Sequence, residues 1–354
     1  TAKLAYNPNP NRNIIINGDM SIAQRGTSQA SITSDGYYTV DRWKTDCDTL
    51  GTWTQSQSTD VPTAKGFSKS LKMDCTTADA TPAVADKLTI QTRFEGQNLQ
   101  YLKKGTANAE SLTLSFWVKS NKTGTYIIEF EDSDNGRKFS KSYTIDTADT
   151  WEKKTITFAG DTTGTLDNDA NRSLNLFFWL GAGTNFTSGT LNTSWNASVS
   201  NSDRAVGQVN LADSTSNEWY ITGVQLEAGT TASDFEFLPV DVNLQRCQRY
   251  FQSIGGVTNT SIACGMSQGA TTTSFTGHYI TTMRSAPTHA INDLNVTDNS
   301  SYSLSATSVS STNATVSSSR FQITHSSSAT QFRTAFLRSS STSSTSRLTL
   351  DAEL

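Results

Sequence analysis

Residues able to do chemistry are scattered along this 354-residue chain. The three histidines, His278, His289 and His325, all lie in the last third. There is no HExxH pair and no Gly-rich loop ahead of Lys-Ser or Lys-Thr, which removes the helix-borne zinc site and the phosphate cradle. A Ser-His-Asp triad is assembled by the fold and not by spacing, and nothing here argues for one. Glycan hydrolysis needs only two carboxyl groups across a cleft, and Glu129, Glu131, Asp132 and Asp134 are the candidates. A strand puts Glu129 and Glu131 on one face while Asp132 and Asp134 fall in a turn, so the expectation is a solvated hairpin and no enzyme. Asp132-Ser-Asp134-Asn-Gly136 and Asp167-Asn-Asp169 offer oxygen atoms to a hard cation, but neither is a twelve-residue loop closed by Glu.

Aromatic residues say more than acids. Among seven Trp, ten Tyr and sixteen Phe, most are expected in a core. Trp53 and Trp195 stand apart, because Gly51-Thr-Trp53-Thr-Gln55 and Asn192-Thr-Ser-Trp195-Asn196 surround an indole with hydroxyls and amides. Such an indole can stack on a sugar ring while the amides bond its hydroxyls, or it can fold back onto the edge of its own domain. Trp53 and Trp195 are therefore the candidate glycan-binding residues; no catalytic residue and no cofactor is expected.

The elements that must position them are strands. Hydrophobic residues make up 35% and charged residues 17%, which suits two-faced strands with Ser and Thr outside and does not suit helical bundles. Ser111–Lys119, Tyr126–Glu131, Lys138–Ile145, Trp151–Phe158, Leu174–Leu180 and Glu218–Glu227 read as antiparallel strands, with hairpins at Asn121-Lys-Thr-Gly124 and Asp134-Asn135-Gly136. The fold class is all-β: a jelly-roll or β-sandwich domain over 13–240, a connecting helix over 241–252, and a small Ser/Thr-rich β domain over 253–354. Residues 1–12, with two Asn-Pro pairs, form an extended arm that docks on a neighbour or stays disordered. The four cysteines, Cys47, Cys75, Cys247 and Cys264, make no CxxC and read as thiols packed like small hydrophobes. A net charge of -4 argues against nucleic acid, and no apolar run is long enough for a membrane span. The start lacks a secretory signal, so the expectation is a protein made soluble in a cytoplasm, or one whose signal has been removed.

The segment Asn13-Ile-Ile-Ile-Asn17-Gly18-Asp-Met20-Ser-Ile22-Ala-Gln24-Arg25-Gly26, followed by Asp41-Arg42-Trp43, resembles the start of a family of virion proteins of marine and cyanobacterial bacteriophages. Trp117-Val-Lys119, Gln225-Leu226-Glu227-Ala-Gly229, Cys247-Gln-Arg-Tyr250-Phe251, Met283-Arg284-Ser-Ala-Pro287 and Asp351-Ala-Glu-Leu354 resemble its later landmarks. The resemblance implies a first domain similar to jelly-roll carbohydrate-binding modules, in homotrimeric tail or surface fibres assembled in the bacterial host cytoplasm. It makes Asp19, Asp41 or Glu227 candidates for a structural calcium without fixing a site. The expected role is a tail fibre component that recognises host surface glycans without catalysis and joins other virion proteins through its arm. The alternatives are a capsid decoration, head fibre or tail assembly protein, and a polysaccharide depolymerase.

Overall fold

The computed structural model describes residues 12–341, 343 and 345–354, so the expected arm up to residue 11 lies outside the described residues. The chain forms two compact units, the first ending at Asn243 and taking in Leu354, the second spanning Leu244–Glu353.

The first unit is a sandwich of two six-stranded antiparallel sheets. In spatial order, one sheet runs β1 (Ser28–Ile32), β4 (Thr52–Ser58), β5 (Ser70–Thr77), β12 (Glu218–Ala228), β7 (Leu112–Ser120) and β10 (Glu152–Phe158). The other runs β2 (Gly36–Tyr37), β3 (Lys44–Asp48), β6 (Lys87–Glu95), β11 (Arg172–Ala182), β8 (Gly124–Asp132) and β9 (Arg137–Ile145). The expected Asp134-Asn135-Gly136 hairpin joins β8 to β9, with Asp132 opposite Arg137 and Gly136 at φ 63°, where glycine is unstrained. The other expected hairpin is corrected: β7 and β8 lie in different sheets, each paired with other strands. Both strands alternate apolar and polar residues, so both can close the same core from opposite sides. Phe116 of β7 meets Phe178 of β11 and Tyr143 of β9 edge-on, with centroids 5.3 and 5.2 Å apart.

The landmark motif forms one corner of this sandwich. Asn17, at φ 59°, donates its amide to the Ile22 and Asp41 carbonyls, and the Trp43 indole donates back to the Asn17 carbonyl. The Asp41 carboxylate accepts from the Gln24 backbone and side chain.

The second unit holds a three-stranded sheet, β13 (Phe251–Gly255), β21 (Arg347–Asp351) and β16 (Thr288–Asn292). Beside it is a closed six-stranded barrel of β14 (Ser261–Ser267), β15 (Thr272–His278), β19 (Ser318–His325), β18 (Ser303–Thr312), β17 (Leu294–Thr297) and β20 (Thr334–Ser339). Its core is small, centred on stacked Phe275 and Phe321. The barrel closes its own edges within one chain, so open barrel edges are no reason for this unit to trimerise. The connecting helix is Val240–Gln248, shorter than expected, because Phe251 begins β13.

Trp53 needs correction. It faces inward on β4, fully buried, and donates its indole N–H to the Leu50 carbonyl at 2.7 Å. Its Ser/Thr/Gln neighbours suggested a surface loop, but strand alternation sends Thr52 and Thr54 outward and Trp53 into the core. Cys47 and Cys75 are buried and their thiols are pushed up to about 11 by desolvation; Cys247 is buried too, but Cys264 is exposed, against expectation. Trp53→Ala is expected to lower unfolding free energy by about 3–5 kcal/mol in urea titrations, while Trp53→Phe keeps most of it. A Trp53→Ala chain as stable as the parent would place this side chain outside the core.

Candidate functional site

The outer face of the second sheet carries a grid of polar and aromatic side chains, and strand register decides who stands beside whom. Along β11, Leu174, Leu176, Phe178 and Leu180 point into the sandwich, leaving Asn175, Phe177 and Trp179 outside. Trp179 stands opposite Thr89 of β6, which stands opposite Asp46 of β3. Phe177 lies between Gln91 of β6 and Glu129 of β8, and Asn175 between Arg93 and Glu131. Of these, Asp46, Thr89, Gln91, Arg93, Glu131, Phe177 and Trp179, together with Lys87, Arg172 and Arg204, line a cleft of about 170 Å³.

One wall comes from the segment after β11, which begins with the helical turn α1 (Thr184–Thr187). Phe186 packs on Trp179, with centroids 5.3 Å apart, and Ala205 joins Ile127, Phe177 and Trp179 in a small apolar cluster. The Arg204 guanidinium lies over both rings, 5.6 Å from Phe177 and 5.4 Å from Trp179. It also forms a bidentate pair with the fully buried Glu129, donating to Oε1 at 2.7 Å and to Oε2 at 3.1 Å. Burial raises the Glu129 carboxyl pKa, and the guanidinium opposes that rise. At Glu131 burial is outweighed by Arg204 and Lys138, and the carboxyl is held below its usual range. Burial and then the neighbouring Asp35 push Asp46 up, against Lys87 at 3.1 Å.

The carboxylates read from sequence as a solvated hairpin are otherwise placed. Glu129 and Asp132 are fully buried; Asp132 accepts from Lys104 and from the Asp134 and Asn135 backbone, a turn cap rather than a catalytic acid. Asp134 accepts from the Asp167 N–H at 2.9 Å. Trp195 is half-buried: its N–H donates to the Ala159 carbonyl, its ring abuts Phe139, and Lys104 lies 4.8 Å over it. The neighbouring Asn192 amide is bonded to the Lys138 and Ser194 carbonyls. Asp19, Asp41 and Glu227 are each bonded to protein donors, and among the described residues no three His, Cys, Asp or Glu side chains converge as metal ligands.

Sequence reasoning missed Thr89, Gln91 and Arg93, because β6 was not recognised as a strand, and Arg172 and Arg204, which no local pattern marks. It also passed over Gly265-Met-Ser267-Gln-Gly269, which has nucleophile-elbow spacing. The structure puts Ser267 at a β-hairpin between β14 and β15, not at a strand-to-helix elbow. It is fully buried, bonded to Tyr302 and Thr273, while His325 bonds Thr273.

Removing Arg204 leaves Glu129 buried and unpaired. Arg204→Ala should cost about 3–5 kcal/mol near neutral pH. Its orphaned carboxyl then has a folded-state pKa far above the unfolded one, so stability is retained below the unfolded pKa and lost as pH rises through the folded pKa. Urea unfolding of Arg204→Ala should thus approach the parent near pH 4 and fall behind it toward pH 8; a deficit independent of pH would refute the buried pair.

No protein-family model matches the chain, and no curated protein matches it. Among solved structures it is similar to the enzymatically active domain of tailspike protein 4 of bacteriophage CBA120, at 13% identity over 62% of this chain and 22% of that one, TM-score 0.33. It is similar to a family 11 carbohydrate-binding module from Clostridium thermocellum in complex with a mixed-linked tetrasaccharide, at 12% identity over 58% of this chain and 98% of that one, TM-score 0.28. It is also similar to a tandem pair of family 22 modules from Paenibacillus barcinonensis, at 10% identity over 92% of this chain and 96% of that one, TM-score 0.28. The chain covers less than a quarter of the tailspike's own length, and these likenesses concern fold alone.

Proposed function

We propose that this chain is a non-catalytic glycan-binding component of a bacteriophage fibre, and that its binding face is the cleft over β6, β11 and β8. The observation that carries this reading is the polar floor of that cleft. Thr89 is almost fully buried on it, yet its hydroxyl has no hydrogen-bond partner among the described residues. Leaving such a group unmatched costs about 1–3 kcal/mol, which a sugar hydroxyl reaching into the cleft would offset. At about 170 Å³ the cleft is smaller than the ~300 Å³ where small-molecule pockets begin, so it suits one ring of a longer chain rather than a buried oligosaccharide. The ring would be held by hydrogen bonds to Thr89 and Gln91, beside Arg204, and not by stacking on an open indole. Absence of catalysis is supported by the pairing of Glu129 with Arg204 and of Glu131 with Lys138, which leaves neither acid as a free nucleophile or proton donor. The virion assignment rests on the resemblance of the Asn13–Gly26 and Asp41–Trp43 segments to phage virion proteins; a homotrimer and an arm-mediated virion contact belong to the same proposal.

The test is titration calorimetry against oligosaccharides released from host-surface polysaccharide. Thr89→Val, which removes only the unpartnered hydroxyl, should weaken binding by about tenfold or more without lowering the melting temperature, and no reducing ends should appear on prolonged incubation. Absence of binding across the panel, or released sugar, would overturn the reading. On intact particles, immunogold label should sit at the tail periphery; label over the head would make this a capsid decoration.

A further inference from the structure

We infer that the cleft selects an acidic sugar, its anionic group held between Arg93 and Arg172. This rests on the glycan-binding reading above and adds the ligand class. Every carboxylate of the cleft already has a cation: Asp46 has Lys87 at 3.1 Å, Glu131 has Lys138 at 3.3 Å, and Glu129 has Arg204 at 2.7 Å. The converse does not hold. Arg93 and Arg172 line the same cleft from the paired strands β6 and β11, and neither has an Asp or Glu side chain within ion-pair distance among the described residues. Arg93 is half-buried and donates only to the Gln91 side chain and the Leu354 carbonyl, while Arg172 is exposed. Burial, and then the repulsion of Arg172 and Arg42, hold the Arg93 guanidinium below its usual pKa against the opposing influence of Tyr37 and Asp46, and a negative group placed between Arg93 and Arg172 would relieve their repulsion. The surplus is local, since the chain as a whole carries a net charge of -4.

A neutral sugar needs amides and hydroxyls, which the cleft has at Gln91 and Thr89. Two adjacent guanidiniums with no acidic side chain of their own among the described residues add something a neutral ring cannot use. The planar fork of Arg presents paired N–H donors that match two oxygens of one anion, and the partly buried setting of Arg93 strengthens the contact. The shared chemistry is a monoanionic group on a pyranose ring, either a uronate carboxylate or a sulfate ester.

The experiment compares four oligosaccharide probes of equal length by calorimetry: a hexuronate oligomer, the same oligomer with its carboxyl groups reduced to alcohols, a sulfated galactan oligomer and its desulfated form. The expected result is at least tenfold tighter binding of one anionic probe than of its neutral counterpart; which pair shows it identifies carboxylate or sulfate. Arg172→Gln, an exposed position that leaves folding intact, should remove most of that margin and flatten its salt dependence, and Arg93→Gln should do likewise. Lys153→Gln, on the outermost strand of the other sheet, should leave the margin in place. Equal affinity for anionic and neutral partners overturns the acidic-sugar inference and leaves glycan binding standing. An equal loss in Lys153→Gln shows diffuse charge attraction and also overturns it. Binding of no probe at all, where host-surface oligosaccharides do bind, overturns it alone; binding of neither overturns both readings.

Discussion

A strand buried on both faces sets the terms for the rest of this structure. From Ser173 to Gly181, β11 has no exposed residue. Its inward side chains close the sandwich core and its outward ones build the cleft floor, so the same nine residues answer to two environments. A fully buried strand reads as a continuous apolar run only when both sides are greasy. Here the outward side mixes Asn175, Phe177 and Trp179, which obliges the neighbouring strands to supply partners: Glu129 takes the Trp179 indole N–H, and Glu131 takes the Asn175 amide. Burying Glu129 in turn requires Arg204, and Arg204 reaches it only because the segment after β11 folds back over the sheet. The wall of the cleft therefore follows from one carboxylate that must not be left alone in a low-dielectric setting.

The opening motif plays a comparable part at a corner of the sandwich. Asn17, Met20 and Arg42 all adopt positive φ, a conformation that costs a non-glycine residue energy and persists when surrounding bonds fix it. The Asn17 amide, the Trp43 indole and the Asp41 carboxylate supply those bonds. What looks in sequence like a signature for recognition is in the fold a corner that locks the first segment onto the sandwich, since the Ile14 N–H also bonds the β12 carbonyl of Leu226. Elsewhere the chain buries its charges in small clusters. Lys104 bridges Asp132 and Asp161, and Arg137 completes the set, which ties the β8–β9 turn to its neighbouring loops. Pairs of this kind add little net stability against apolar alternatives, but each is costly to break from one side.

Half of the sandwich strands could be read directly from the sequence, because side-chain alternation with a period of two is a local property: β7 through β12 lie within two residues of where the apolar pattern puts them, while β1 through β6 were not recognised. The helix start near Asp241 was equally legible from its Pro239 and Asp signals. Which strands pair was not legible. The Asn121-Lys-Thr-Gly124 segment looks like a hairpin turn, yet the chain there crosses from one sheet to the other. Turn chemistry fixes a change of direction and says nothing about which backbone waits on the far side. In the second unit the low apolar content left β14, β16, β17 and β18 unrecognised, since strands of Ser and Thr carry a weak alternation signal.

Sequence alone thus determined the class of this protein: an all-β chain, polar and weakly charged, with a first domain built as a sandwich. It did not determine the site. Trp53 and Trp195 were singled out by their neighbours in sequence, and the parity of β4 buried one while Ala159, Phe139 and Lys104 engaged the other. The cleft gathers Asp46, Thr89, Arg93, Glu131, Trp179 and Arg204 from segments far apart in the chain. Their adjacency depends on long-range strand register, in which a slip of one residue would turn the strand-borne ones to the opposite face. Register is settled only when both sheets pack on a common core, and for that reason the tertiary structure, not the order of residues, decided where this molecule presents its polar cleft.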